Sequence, residues 1–108
     1  MSKYLKIYIA GPMRGIKDLN RKEFGRAEEK LKAKGIYQII NPCISDIDSG
    51  LTDEELETPK GLKIVMARDL TDVCSCDSIY MLHGWQKSEG ARIEHDLAVM
   101  LNLVILYQ

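Results

Sequence analysis

Two acidic residues, Glu94 and Asp69, occupy positions in this 108-residue sequence where a purely structural helix would carry an apolar side chain. Around Glu94, Leu97, Ala98 and Leu101 define an apolar stripe, and at about 100° per residue Glu94 projects near its middle. An earlier segment repeats the pattern, because Leu62, Met66 and Val73 bracket a direction that Asp69 shares. Each of two helices thus aims one carboxylate inward. An unpaired buried carboxylate is costly, so such a group either shifts its pKa or finds donors. The plain arrangement is a pairing with a nearby arginine or a cap on a backbone donor at a sheet edge. The chemical one is a carboxylate pair whose proton affinities are pushed apart, one member ionised and the other protonated.

Two glycine-bearing loops stand where these acids would meet a ligand. Gly11-Pro12-Met13-Arg14-Gly15 offers flexible backbone N–H groups beside an arginine, suited to a phosphate or sugar oxygen. Read plainly, it is a Gly-Pro turn. Ser88 and Gly90 precede the helix that carries Glu94, so the serine and the helix amino end either hold an anion or form an ordinary N-cap. Tyr8, near the end of the first strand, leans into the site or packs in the core. Trp85, the only tryptophan, stacks on a base, or else covers the loop or a neighbouring subunit. His83 and His95 have no metal-ligand partner at useful spacing and read as surface or loop residues, so neither a metal nor a cofactor is expected.

These residues need elements to hold them. Residues 4 to 10, YLKIYIA, form a β-branched and aromatic run closed by Gly11 and Pro12, which predicts a buried strand feeding a turn. Phe24, Ala27 and Leu31 recur at helical spacing between Asn20 and Lys34, and Gly35 stands where a helix stops. A second strand is predicted over 36 to 40, closed by Asn41 and Pro42. The polar stretch from there to Glu57 is read as loop with at most one helical turn. Thr58 and Pro59 are an N-cap and first helical residue for a helix reaching about Val73. A third strand over 78 to 82, a helix from Ala91 to about Leu101 and an apolar strand over 103 to 107 complete the chain. Strand and helix alternate, which predicts a parallel sheet covered by helices on both faces. Ligands in such sheets sit beyond the carboxyl ends of the strands where the strand order reverses, and the loops after the first and third strands are the lips of that crevice.

Composition narrows the rest. At this length one domain spanning 1–108 is expected, with a core that needs no disulfide or metal. The 15 basic and 16 acidic residues are interspersed, so no basic field holds a nucleic acid polymer, and a small ligand is the better fit. Cys43, Cys74 and Cys76 lack paired spacing and read as reduced thiols, mostly in the core. The apolar run before Gly11 is too short for a signal peptide, and no stretch has membrane-spanning length, so a cytoplasmic location away from membranes is expected.

The motifs IYIAGPMRG at 7 to 15, Asn41-Pro42, ARDL at 67 to 70, CDSIYML at 76 to 82 and GWQKSEGARIEHDLA at 84 to 98 run in order along nearly the whole chain. Together they resemble the nucleoside 2-deoxyribosyltransferase-like superfamily, in particular a small branch related to nucleoside 5′-monophosphate N-glycosidases. The S-x-G-x-x-x-E element at 88 to 94 is the most specific part. The resemblance implies a flavodoxin-like or Rossmann-like three-layer sandwich, with four parallel strands read here and a fifth left open. It implies that Glu94 is the nucleophile at the sugar C1′ and that Asp69 contacts the sugar or assists the departing base. Tyr8, Gly11, Arg14, Gly15, Asn41, Ser88 and Gly90 form the expected substrate-binding set, with Arg14 and Ser88 on phosphate. Breaking an N-glycosidic bond passes through an oxocarbenium-like state that a carboxylate stabilises or captures. Water as acceptor gives hydrolysis, a second base gives transfer, and a non-catalytic nucleotide-sensing module is the alternative from another class. The resemblance also implies a homodimer or higher homo-oligomer. Against the transferase branch the chain is short and lacks an evident carboxyl-terminal extension.

Overall fold

The computed structural model describes residues 6–108, so Tyr4 and Leu5 of the expected first strand lie outside the described residues. Strand β1 spans Lys6–Ala10, and its side chains alternate between two apolar layers, as the twofold period of a strand requires. Ile7 and Ile9 pack with Phe24, Ala27 and Leu31 of helix α1 (Arg21–Ala33). Tyr8 and Ala10 face the other way, toward Val73 of α4 (Pro59–Cys74) and Ala91 and Ala98 of α5 (Glu89–Met100). Strand β3 (Ser78–Met81) divides likewise, with Tyr80 on the α1 side and Ile79 and Met81 on the α4 and α5 side. Strands β2 (Gln38–Ile40) and β4 (Val104–Tyr107) complete a parallel sheet of order β2-β1-β3-β4. This is a three-layer α/β sandwich with a four-stranded sheet among the described residues, and the strand order reverses between β1 and β3.

The helix ends follow local chemistry. At the end of α1, Gly35 adopts φ +86°, and Ile36 and Gly35 donate to the carbonyls of Leu31 and Lys32, closing the helix with a left-handed residue. Asn102 does the same after α5 at φ +58°, with Leu103 donating to Ala98. Thr58 caps α4 as expected, accepting from the Gly61 N–H with Pro59 in the first turn.

The stretch between β2 and α4 differs from the expected loop. It holds two helices, α2 (Pro42–Asp48) and α3 (Asp53–Leu56). Asn41 does not close β2 alone: its side chain accepts from the Cys43 N–H and caps α2, with Pro42 at the first helical position. Thr52 and Glu55 form a reciprocal capping box at α3. Leu101 departs from the expected buried stripe of α5 and is 42% exposed, because the helix ends at Met100 and the chain turns away there. No described helix is long and apolar enough to cross a membrane.

Candidate active site

Glu94 and Asp69 both lie inside, at 5% and 4% exposure, as their places on the apolar stripes require. They reach the same region from two helices on one face of the sheet, where Tyr8 projects from β1. The Tyr8 hydroxyl donates to Glu94 Oε2 at 2.7 Å, so Tyr8 is both a core residue and a member of the site. Arg68 donates through Nε and Nη2 to Asp69 Oδ1, at 3.0 and 2.7 Å. The same Nη2 donates to Asp46 Oδ1 of α2 at 2.6 Å. Asp69 thus has the arginine partner of the plain arrangement, whereas Glu94 is held by a neutral hydroxyl.

The electrostatics follow from burial. Loss of solvent pushes the Glu94 carboxyl up to about 8; the Tyr8 hydrogen bond pulls against this and the charge of Asp69 adds to it. Burial likewise pushes Asp69 up to about 6, opposed by the hydrogen bonds and charge of Arg68. The Tyr8 hydroxyl is raised well above its ordinary value, first by its own burial and then by the acids beside it. The two carboxyls titrate as a coupled pair, and near neutral pH they hold one proton between them, mainly on Glu94. A nucleophilic Glu94 assisted by an acidic Asp69, as the resemblance implies, would need the opposite division.

Among the described residues, none of the remaining expected binding residues hydrogen-bonds to Glu94 or Asp69. Arg14 is exposed, and its Nη2 donates to the Glu57 carbonyl at 3.2 Å, which ties the loop after β1 to the junction of α3 and α4. Gly15 adopts φ +79° with open space around it. Gly11 is required sterically, since a Cβ there would lie 2.8 Å from Leu82 Cβ. Ser88 caps α5, accepting from the Ala91 N–H at 3.2 Å, and Gly90 follows it in the first turn, facing Met66. Asn41 is buried with both ends of its amide engaged, by Cys43 N–H and by Glu28 Oε1.

Trp85 stacks on His95 with ring centroids 4.2 Å apart, and His95 Nε2 lies 3.0 Å from the Tyr107 hydroxyl. His83 Nε2 lies 2.9 Å from the Gln108 carbonyl oxygen. Cys43 and Cys76 are buried and Cys74 is exposed, all as free thiols, and burial pushes Cys43 up to about 12.

A crevice of about 400 Å³ opens between the loops after β1 and β3, at the reversal of strand order, lined by Pro12, Ile16, Leu82, Gly84 and Lys87 among others. A second, of about 270 Å³, adjoins it along Trp85 and Tyr107. Neither is lined by Glu94, Asp69, Arg14 or Ser88. Among the described residues no group of three or more His, Cys, Asp or Glu is placed to hold a metal ion.

Sequence reasoning missed Asp46 and the role of Arg68. The ARDL motif put Arg68 next to Asp69, so the pairing had a local signal. Asp46 had one only through α2, whose Asn41-Pro42 start repeats the cap-then-proline pattern of Thr58-Pro59.

The chain belongs to the DUF4406 family, a domain of unknown function, which matches residues 5–107. No curated protein matches it.

Proposed function

We propose that this member of DUF4406 cleaves the N-glycosidic bond of a nucleoside or deoxynucleoside 5′-monophosphate. The observation that carries the reading is the inward pair of carboxyls, Glu94 on Tyr8 and Asp69 on Arg68, on adjacent helices beneath the first strand. Among the described residues, Tyr8 engages only Oε2 of Glu94, which leaves the lone pairs of Oε1 for the sugar C1′. As Oε1 bonds to C1′, the C1′–N bond breaks, its electron pair passes to the base, and a proton from Asp69 neutralises the base. Water then attacks C1′, giving its proton to Asp69 as the C1′–Oε1 bond breaks, which returns both acids to their starting forms and releases the sugar phosphate. A second base in place of water gives transfer.

The proton shared by the pair must sit on Asp69 for this step. Burial favours the proton on Glu94, a preference that positive charge developing at C1′ offsets. Arg14 and Ser88 are the phosphate ligands of this reading. To act so, Arg14 leaves the single exposed hydrogen bond it makes to Glu57. The resemblance that motivates the reading also implies a homo-oligomer, in keeping with the exposed Val99 and Met100 of α5, Leu101 just after it and Tyr107 of β4.

A second reading, a non-catalytic module that binds a nucleotide or derivative, is favoured by one observation. The roomy crevice at the strand reversal is not lined by either acid. Incubation with ribo- and deoxynucleoside monophosphates, followed by chromatography for free base, separates the two. Base released by the wild type and not by Glu94→Ala supports the glycosidase. Binding without release from any nucleotide, unchanged by Glu94→Ala, establishes the sensor instead.

A further inference from the structure

The way Arg68 grips Asp69 is unusual for an arginine and a carboxylate. A guanidinium fork ordinarily gives one N–H to each carboxylate oxygen. Here Nε and Nη2 both converge on Oδ1, and among the described residues Oδ2 receives no hydrogen bond. The geometry has a visible cause, since Nη2 is shared with Asp46 Oδ1 at 2.6 Å, the shortest contact of the guanidinium. Asp46 is 3% exposed and fixed within α2, and Arg68 Nη1 is buried with no partner among the described residues, so the contact to Asp46 draws the guanidinium toward α2 and away from a two-oxygen grip.

We propose that Asp46 is a positioning residue: by holding Arg68 from α2, it confines the guanidinium to one oxygen of Asp69 and leaves Oδ2 for the substrate. The proposal rests on the glycosidase reading for its consequence and on the hydrogen-bond geometry for its cause. In that reaction Oδ2 is the oxygen that carries the proton to the departing base. If Arg68 closed on both oxygens, Asp69 would be a poorer acid carrier and its free lone pairs would be gone.

The charged and titratable groups around Asp69 are Arg68 and Asp72 of α4, Asp46 and Cys43 of α2, Tyr8 of β1 and Glu94 of α5. Arg21 faces Asp46 from the start of α1 while forking onto Asp53. Two substitutions at Asp46 separate charge from position. Asp46→Asn removes the negative charge and keeps an oxygen that can accept from Nη2. Asp46→Ala removes both. Loss of the charge lowers the Asp69 pKa in each variant, while release of Arg68 onto both Asp69 oxygens lowers it further in the alanine variant alone.

The test is a carboxyl carbon NMR titration of Asp69 in the full chain, for wild type, Asp46→Asn and Asp46→Ala, beside the pH profile of base release. The expected result is an Asp69 pKa in Asp46→Ala about one unit below that in Asp46→Asn. With it goes a kcat about tenfold lower in the alanine variant than in the asparagine variant, with KM little changed. Equal Asp69 shifts in the two variants would overturn the proposal, because charge alone would then account for both. If the shifts differ as expected while wild type releases no base from any nucleotide, the geometry stands and the glycosidase reading is what fails. A crystal structure of Asp46→Ala in which Arg68 still grips only Oδ1 would also overturn the proposal.

Discussion

Replacing Glu94 by glutamine removes the ionisable group while keeping its size and an oxygen that accepts from Tyr8, so the effect on folding stability isolates the cost of burying the charge. The Glu94 carboxyl titrates near 8 when folded, against an ordinary value of 4.5. A folded-state pKa above the unfolded one means that the native state binds more protons between these values. Stability from this group is therefore fully present below about 4.5 and declines as pH rises toward about 8. Integrating at about 1.4 kcal/mol per pH unit, the group costs the wild type about 1 kcal/mol at pH 5 and about 4 kcal/mol at pH 8. Glutamine titrates in neither state, and groups common to both proteins largely cancel in the difference. Glu94→Gln is expected to gain on wild type by roughly 3 kcal/mol between pH 5 and pH 8, with Asp69 coupling altering the amount and not the direction. Urea unfolding at pH 5, 6.5 and 8, with equal m-values, measures this. A difference that stays flat with pH, or a wild type that gains on the variant at pH 8, refutes the claim that burial dominates at Glu94.

Two further outcomes follow from individual contacts. Tyr8→Phe removes the 2.7 Å hydrogen bond to Glu94, a loss of about 1.5–3 kcal/mol of preference for the ionised acid. Because the step needs one proton on the pair, base release should be bell-shaped with its alkaline fall centred near pH 8 in wild type. In Tyr8→Phe that fall should move up by about one to two units while the plateau rate drops, and a pH–rate profile that does not move removes Tyr8 from the mechanism. Gly61→Ala would place a Cβ 1.9 Å from the Glu55 carbonyl oxygen, which helix backbone on both sides prevents from yielding. It should cost at least about 1–3 kcal/mol in chemical denaturation by prising α3 off α4, and a neutral result would show that α3 contributes little to the fold.

Much of the site was readable without coordinates. Helical periodicity put Glu94 and Asp69 on the inward side because an acid in register with Leu97 and Ala98, or with Leu62 and Val73, has no other direction to point. Thr58-Pro59, Ser88 and Gly35 marked helix ends through their own backbone chemistry, which acts within one turn. The same local signals were present at Asn41-Pro42 and at Thr52 to Glu55, where a low apolar content masked them. Leu101 was misplaced because periodicity does not say where a helix stops, and Asn102 ends α5 just after it.

Sequence by itself determined the alternation of strands and helices and the burial of two acids, since both depend on neighbours three or four residues away. Which group each acid meets was decided only by tertiary structure. Tyr8 and Glu94 are 86 positions apart and Asp46 and Arg68 are 22 apart, so no local pattern links them. Their meeting follows from the order β2-β1-β3-β4, which sets β1 beneath α4 and α5, and from α2 reaching Arg68 beyond the end of β2. Proton affinity is set by that enclosure, because solvent loss and the nearest donor together fix which carboxyl keeps its proton.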